Sequence, residues 1–286
     1  METKFFQPPA VYTEVVDLNV VDLNRSVEFY TGVLGLRVWE KEENRVIFTA
    51  GGDRPLLAVH QTGHIRKRNP RASGLYHFAL LVPTEKDLAD ILNHLRKKKI
   101  PLGASDHLVS EALYLQDPDG NGIEIYRDRL SSSWTRTSGR IDMAVDPLDG
   151  DRLLAMVDGY EWDGIPEGTI IGHVHLHVVH LEESRRFYCA GLGFDVMEDR
   201  MDKALFISSH GYHHHIGLNT WKGEGIQRIE SGEQGLRSFT LCYPDEERLA
   251  EVVNRLEHLG YQPAAGESGG WSVADPSGLS IKLKSE

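Results

Sequence analysis

Four histidines fall within nine residues of strand-like sequence, GHVHLHVVH at 172–180, as His173, His175, His177 and His180. Side chains alternate faces along an extended strand, so His173, His175 and His177 share one side while Val174, Leu176 and Val178 share the other. A strand that gives a whole face to imidazole either turns that face to solvent or lines a polar cavity. In a cavity, imidazole suits metal binding and proton transfer. A second cluster, Tyr212-His213-His214-His215, runs into the strand-like Ile216-Gly217-Leu218. Taken singly, any one of these histidines is more often a half-exposed strand residue than a ligand. His64, His94 and His258 stand apart and read as loop or helix-surface residues.

The elements that must position these side chains occur in repeats. An offset of 158 pairs Val20 with Val178, Leu23 with Leu181, Ser26 with Ser184, Phe29 with Phe187, Tyr30 with Tyr188, and Leu34-Gly35 with Leu192-Gly193. In both copies an apolar strand leads into a short helix whose buried face carries Phe-Tyr and whose stop is glycine. Short apolar segments follow, Val46–Thr49 and Leu56–Val59 in one copy, Ala204–Ile207 and Ile216–Asn219 in the other. A second unit, Gly74–Pro83, resembles Gly235–Pro244, and each opens a helix, at Thr84–Lys98 and Asp245–Leu259. Each then ends in strand, Asp-Pro-x-Gly turn and strand, with the turns at Asp117–Gly120 and Asp275–Gly278. In such a turn proline presets φ and glycine accepts a positive one.

The chain therefore reads as four strand-helix-strand-strand-strand modules near 11–62, 74–127, 170–223 and 235–286, an α+β arrangement. Modules one and two fill residues 1–130, a linker with a short helix at Pro147–Val157 fills 131–167, and modules three and four fill 168–286. A connector of that length leaves open which modules pair.

Composition narrows the functional classes. The chain has 286 residues, 40% hydrophobic and 26% charged, as in ordinary soluble globular proteins. Its formal net charge of −12 argues against nucleic-acid partners, which need clustered cation. The basic run His64-Ile65-Arg66-Lys67-Arg68 reads as a solvated loop. Cys189 and Cys242 follow no ligand spacing and read as core thiols in a reducing compartment. With no apolar leader and no run near the ~18 residues of a membrane span, the expectation is a cytoplasmic protein without a membrane partner.

The repeated module, with Asp-Leu-x-x-Ser-x-x-Phe-Tyr-x-x-x-Leu-Gly after its first strand and Asp-Pro-x-Gly-x-x-x-Glu near its end, resembles the vicinal oxygen chelate superfamily. That superfamily holds glyoxalase I, bleomycin- and fosfomycin-resistance proteins and type I extradiol dioxygenases. More narrowly, GASDHLVSEALYLQDPDGNGIEIYRDR at 103–129, GHVHLHV and GYHHHIGLNTW at 211–221 are similar to the Bacillus-type catechol 2,3-dioxygenases. The resemblance covers nearly the whole chain and implies βαβββ modules that close in pairs as half-open barrels around a metal.

Carried over residue by residue, the resemblance implies ligand positions on the first and last strands of each module. Module three offers His173 and His214, with His215 as the alternative to His214, and module two offers His77 and Glu124. Module one has Val15 with Pro55 or Leu56 at these positions, and module four has Ser238 and Lys282, a cation that repels a metal. Only a pairing of modules two and three assembles a ligand set, so the expected assembly is crosswise, with modules one and four forming a metal-free barrel.

Two histidines and a carboxylate on one face of an ion leave three positions open, which suits Fe(II), with Mn(II) as the alternative. The resemblance then implies opening of an aromatic diol next to its hydroxyls by O2. Tyr114 matches the family tyrosine that hydrogen-bonds substrate. His107 is the candidate acid/base. His175 and His215 are further candidates for catalysis, and with His177 and His213 they divide between ligand support and cavity lining. Two rivals stay open, a glyoxalase-type isomerase or lyase using four protein ligands and a metal-free protein that sequesters an aromatic drug. A homo-oligomer is expected.

Overall fold

The computed structural model describes residues 1–159, 161–266 and 269–286. Module one comprises β1 (Tyr12–Asn19), α1 (Leu23–Gly32), β2 (Arg37–Lys41), β3 (Arg45–Thr49) and β4 (Leu57–His60). Module two comprises β5 (Gly74–Leu81), α2 (Glu85–Lys97), β6 (Gly103–Asp106), β7 (Ser110–Gln116) and β8 (Gly122–Asp128). The connector folds as a small hairpin, β9 (Arg136–Thr137) and β10 (Arg140–Ile141), then α3 (Gly150–Leu154). Module three comprises β11 (Ile170–His177), α4 (Leu181–Arg185), β12 (Asp195–Glu198), β13 (Ala204–Ser208) and β14 (Ile216–Asn219). Module four comprises β15 (Gly235–Tyr243), α5 (Glu246–His258), β16 (Ala264–Ala265), β17 (Trp271–Ala274) and β18 (Ser280–Ser285).

Helix starts follow their caps. Thr84 and Asp87 form a reciprocal capping box on α2, while Asp22 and Asp245 accept from backbone N–H groups of α1 and α5. In module three His180 stands where the others carry an oxygen cap, and it makes no capping hydrogen bond. There α4 is one short turn that widens into a π-type turn over Arg186–Gly191. The connector helix is shorter than Pro147–Val157, because Asp149 accepts from the Arg152 N–H and sets its start.

Two eight-stranded sheets result. One runs β16-β17-β18-β15-β1-β4-β3-β2 and the other β12-β13-β14-β11-β5-β8-β7-β6. Modules one and four thus share a sheet through the antiparallel pair β1 and β15, and modules two and three share the other through β11 and β5. This is the crosswise assembly expected from the ligand positions. Each sequential half, 1–130 and 168–286, contributes one module to each sheet.

One continuous core lies between the sheets and takes Val16, Leu18, Phe78, Leu80, Val174, Leu176, Phe239 and Leu241 from the four first strands. Alternation therefore sends Asp17 and Asn19 to the opposite face of one sheet, and His173, His175 and His177 to the opposite face of the other. His94 departs from the surface reading. It is buried, with Nε2 3.0 Å from the Val33 carbonyl oxygen and its ring stacked on Trp162. Cys242 is a core thiol, whereas Cys189 is only half-buried. Among the described residues, no helix is long and apolar enough to cross a membrane.

Candidate metal centre

The strand register brings the chemistry together. In the row β11-β5-β8, His173 and Glu124 lie on either side of Ala79, and His77 lies opposite His175. A register shift falls at Gly172, where a Cβ would sit 1.8 Å from the Tyr126 hydroxyl. Only glycine lets the chain bulge against that ring and still aim His173 at Glu124.

Three donor atoms converge. His77 Nε2 is 3.0 Å and His173 Nε2 3.1 Å from Glu124 Oε2, and the two nitrogens are 3.3 Å apart. An ion about 2.1 Å from three donors at right angles spaces those donors about 3.0 Å apart, so the triangle has the edges of one octahedral face. All three residues are buried, and they form the one cluster among the described residues with metal-binding proximity. Burial pushes His173 down to about 4, so near neutrality its ring is uncharged and keeps one nitrogen lone pair. Burial alone would raise the Glu124 carboxyl, but His173 and His77 together hold it well below the usual range, as a carboxylate. Imidazole nitrogens and an ionised carboxylate on one face are a donor set for metal, so the residues fit a divalent cation. The His173 Nδ1 makes no hydrogen bond within the chain, and the ring is held by packing against Tyr126 and His214.

His77 and Glu124 of the triangle line a cavity of about 250 Å³, together with Tyr76, Tyr114, His107, His175, His214, Phe206 and Trp221. Its far wall is Met143, Ala144 and Val145 of the connector. Backbone bonds between Asp106 and Asp146, and ion pairs from Arg152 to Glu85 and Glu111, fasten that connector to module two.

Each remaining candidate has a defined place. Tyr114 is directly opposite Glu124 across β7 and β8. Its hydroxyl is 2.6 Å from His107 Nε2, and His107 Nδ1 is 2.7 Å from the Ala144 carbonyl oxygen. A carbonyl only accepts, so His107 donates through Nδ1 and accepts the Tyr114 proton on Nε2. Neither nitrogen is left for direct exchange with a ligand. Burial and the Glu124 charge push the Tyr114 phenol well above its usual range.

His214 lies outside the three-donor triangle. Its ring centroid is 4.1 Å from that of His173, and its Nδ1 is 2.8 Å from His213 Nδ1. His213 Nε2 is in turn 2.8 Å from Asp128 Oδ1. His175 lines the cavity, and burial among His77, His173 and His177 keeps it neutral. His215 is turned away from the cavity. Its Nε2 donates to the Phe5 carbonyl and its Nδ1 accepts from the Ser209 N–H, so it pins the N-terminal segment. Sequence reasoning did not reach Asn219, Asp128, Tyr76 or the connector wall. Asn219 carried a signal, since both copies end their fourth strand on a polar residue, His60 in one and Asn219 in the other.

The chain matches the Glyoxalase/Bleomycin resistance protein/Dioxygenase superfamily over residues 13–125 and 170–283, and it belongs to that superfamily. It is 41% identical over 262 residues to the catechol-2,3-dioxygenase of Bacillus subtilis (strain 168), covering 91% of this chain and 92% of the relative. It is 33% identical over 106 residues to biphenyl-2,3-diol 1,2-dioxygenase 2 of Rhodococcus globerulus, covering 37% of this chain and 47% of that one. Among solved structures, a putative dioxygenase from Bacillus subtilis aligns with a TM-score of 0.67 at 14% identity, over 96% of this chain and 84% of the other. Glyoxalase I from Zea mays aligns at 0.58 and 17% identity, over 96% and 92%. At these identities the two structures share the fold.

Proposed function

We propose that the chain is an extradiol dioxygenase that binds Fe(II) through His77, Glu124 and His173 and opens the ring of catechol or a small substituted catechol. The observation that carries this reading is the triangle of two imidazole nitrogens and one carboxylate oxygen beside a small cavity. A two-histidine, one-carboxylate face is the donor set of non-haem Fe(II) oxygenases. The 41% identity to a catechol-2,3-dioxygenase over nearly the full length supports the same reaction. Bound there, ferrous iron supplies the redox chemistry that joins an electron-rich diol to O2.

The chain's own residues handle binding and protons. The Tyr114 hydroxyl proton is committed to His107, so the phenol oxygen turns its lone pairs toward the cavity and accepts from a diol hydroxyl. His107 acts through Tyr114 and orients it. Asp128 accepts from His213 Nε2–H, so a neutral His213 accepts on Nδ1 from His214 Nδ1–H. That leaves the His214 Nε2 lone pair to accept a hydrogen bond from a diol hydroxyl, while burial and the neighbouring His173 and His213 push the ring well below its usual range and keep it neutral. A cavity of about 250 Å³ suits a single ring, being below the roughly 300–1,000 Å³ of sites for larger ligands. Among the described residues only His77, Glu124 and His173 bring donor atoms together, with His214 outside the triangle, which counts against the four-ligand, glyoxalase-type alternative.

Protein loaded with Fe(II) without oxygen, then given catechol and air, is expected to form a yellow ring-opened product. No product from catechol or its 3- and 4-methyl forms would overturn the reading.

A further inference from the structure

The strands β11 and β14 run parallel and set His175 beside Gly217 and His177 beside Asn219. The Asn219 side chain is the hub of three hydrogen bonds. Its Oδ1 accepts the Trp221 backbone N–H at 3.2 Å, and a backbone N–H can only donate. The amide's oxygen end is thereby identified. His177 Nδ1, 2.7 Å from the same oxygen, must then carry a proton. The other end of the amide, Nδ2, can only donate, and it lies 3.0 Å from His175 Nε2. His175 Nε2 is therefore bare, and the neutral ring carries its proton on Nδ1. Nothing among the described residues accepts that proton.

The ring is also seated. A Cβ on Gly217 would come within 2.9 Å of His175 Cγ and Cδ2, so the imidazole lies against bare backbone. Tyr76, at right angles to the ring, and Trp221, tilted to it, close on it with centroids 5.1 and 5.2 Å away. The other sheet supplies a contrast. By the 158-residue offset Asp17 takes the place of His175, and His60 Nε2, Ser238 Oγ and Lys282 Nζ all bond to it. That position is a closed ion cluster in one sheet, whereas in the other it leaves one N–H unpaired on a ring that lines the cavity.

We propose that Asn219 and His177 are positioning residues that lock His175 as its Nδ1–H tautomer, and that this N–H donates to an oxygen of the diol bound in the cavity. The lock follows from hydrogen-bond direction alone; the identity of the acceptor rests on the diol-cleaving reading.

Long-range 1H–15N correlation spectra of the 15N-labelled, metal-free protein test the lock. In the wild type His175 is expected to show a protonated Nδ1 and a bare Nε2. In Asn219→Asp a carboxylate that only accepts should draw the proton to Nε2 and reverse the pattern. A wild-type His175 with its proton on Nε2, or a pattern unchanged in N219D, would overturn the lock. The wild-type spectrum needs no variant, so the claim stays testable should N219D fail to fold. For the acceptor, Zn(II)-loaded protein is titrated with 4-nitrocatechol. N219D should keep its zinc and bind about tenfold or more weakly, the effect of losing one hydrogen bond to a charged oxygen. Equal affinity would overturn the donation. Absence of binding by the wild type, with the expected tautomer present, would overturn the diol reading and the donation while the lock stands.

Discussion

Tyr30 donates its hydroxyl proton to Asp117 Oδ2 at 2.7 Å across 87 residues of chain, and the bond ties one sheet to the other. Tyr30 sits on α1 of module one, and Asp117 opens the β7–β8 turn of module two. The repeat returns the link in the opposite direction, since Tyr188 of module three bonds to Asp275 Oδ2 of module four at 3.0 Å. Both aspartates also accept from the backbone of their own turns. The Phe-Tyr and Asp-Pro-x-Gly motifs, repeated together in sequence, are the two halves of one clasp.

Removing either clasp hydroxyl should destabilise the fold without touching the cavity. Tyr30→Phe and Tyr188→Phe are each expected to lose about 1–3 kcal/mol, the effect of leaving a buried acceptor short of a donor. Urea unfolding midpoints measure this, with turnover of the folded variants unchanged. Wild-type midpoints in both variants would contradict the clasp.

The metal-free sheet should show an acid-sensitive contribution from Asp17. Burial pushes its carboxyl up, but the His60 hydrogen bond and the Lys282 ammonium outweigh burial and bring it to about 2 from an ordinary 3.8. A carboxyl that ionises more readily when folded stabilises fully above its unfolded pKa and loses that contribution as pH falls through the folded value. The gap in unfolding free energy between wild type and Asp17→Asn, on the order of 2 kcal/mol near neutrality, should therefore close between about pH 4 and pH 2. A gap that stays constant over that window would show that the carboxylate's charge is not what stabilises.

Tyr114 and His107 should behave as one unit. Tyr114→Phe is expected to lower kcat about 100-fold with iron content unchanged, and His107→Phe to lower it by a similar factor because it acts through Tyr114. The double variant should be no slower than the worse single one. Multiplicative losses in steady-state assays would show that His107 reaches the substrate independently.

Much of this arrangement was legible because it lies on strands. The 158-residue offset that matches Tyr30 with Tyr188 gives the modules, and the two-residue period along β11 puts His173, His175 and His177 on one face opposite Val174 and Leu176. The absence of ligands at Val15 and Lys282 gives the crosswise pairing that the sheet order shows. The cluster His213-His214-His215 was not legible in the same way, because it precedes β14 in a loop where no period assigns faces. The result is three different destinations, with His213 on Asp128, His214 at the cavity and His215 on the Phe5 carbonyl. The connector wall was hidden for a different reason. Met143, Ala144 and Val145 reach the cavity because tertiary ion pairs fold the connector back, and no local pattern encodes that.

Iron bound per chain after anaerobic loading and washing tests most directly whether one ion is held jointly by modules two and three. One equivalent is expected in the wild type and in Asp17→Asn, and almost none in Glu124→Ala or His173→Ala, which remove one donor from each of the two modules. A full equivalent retained by both alanine variants, or its loss in Asp17→Asn, would contradict joint binding.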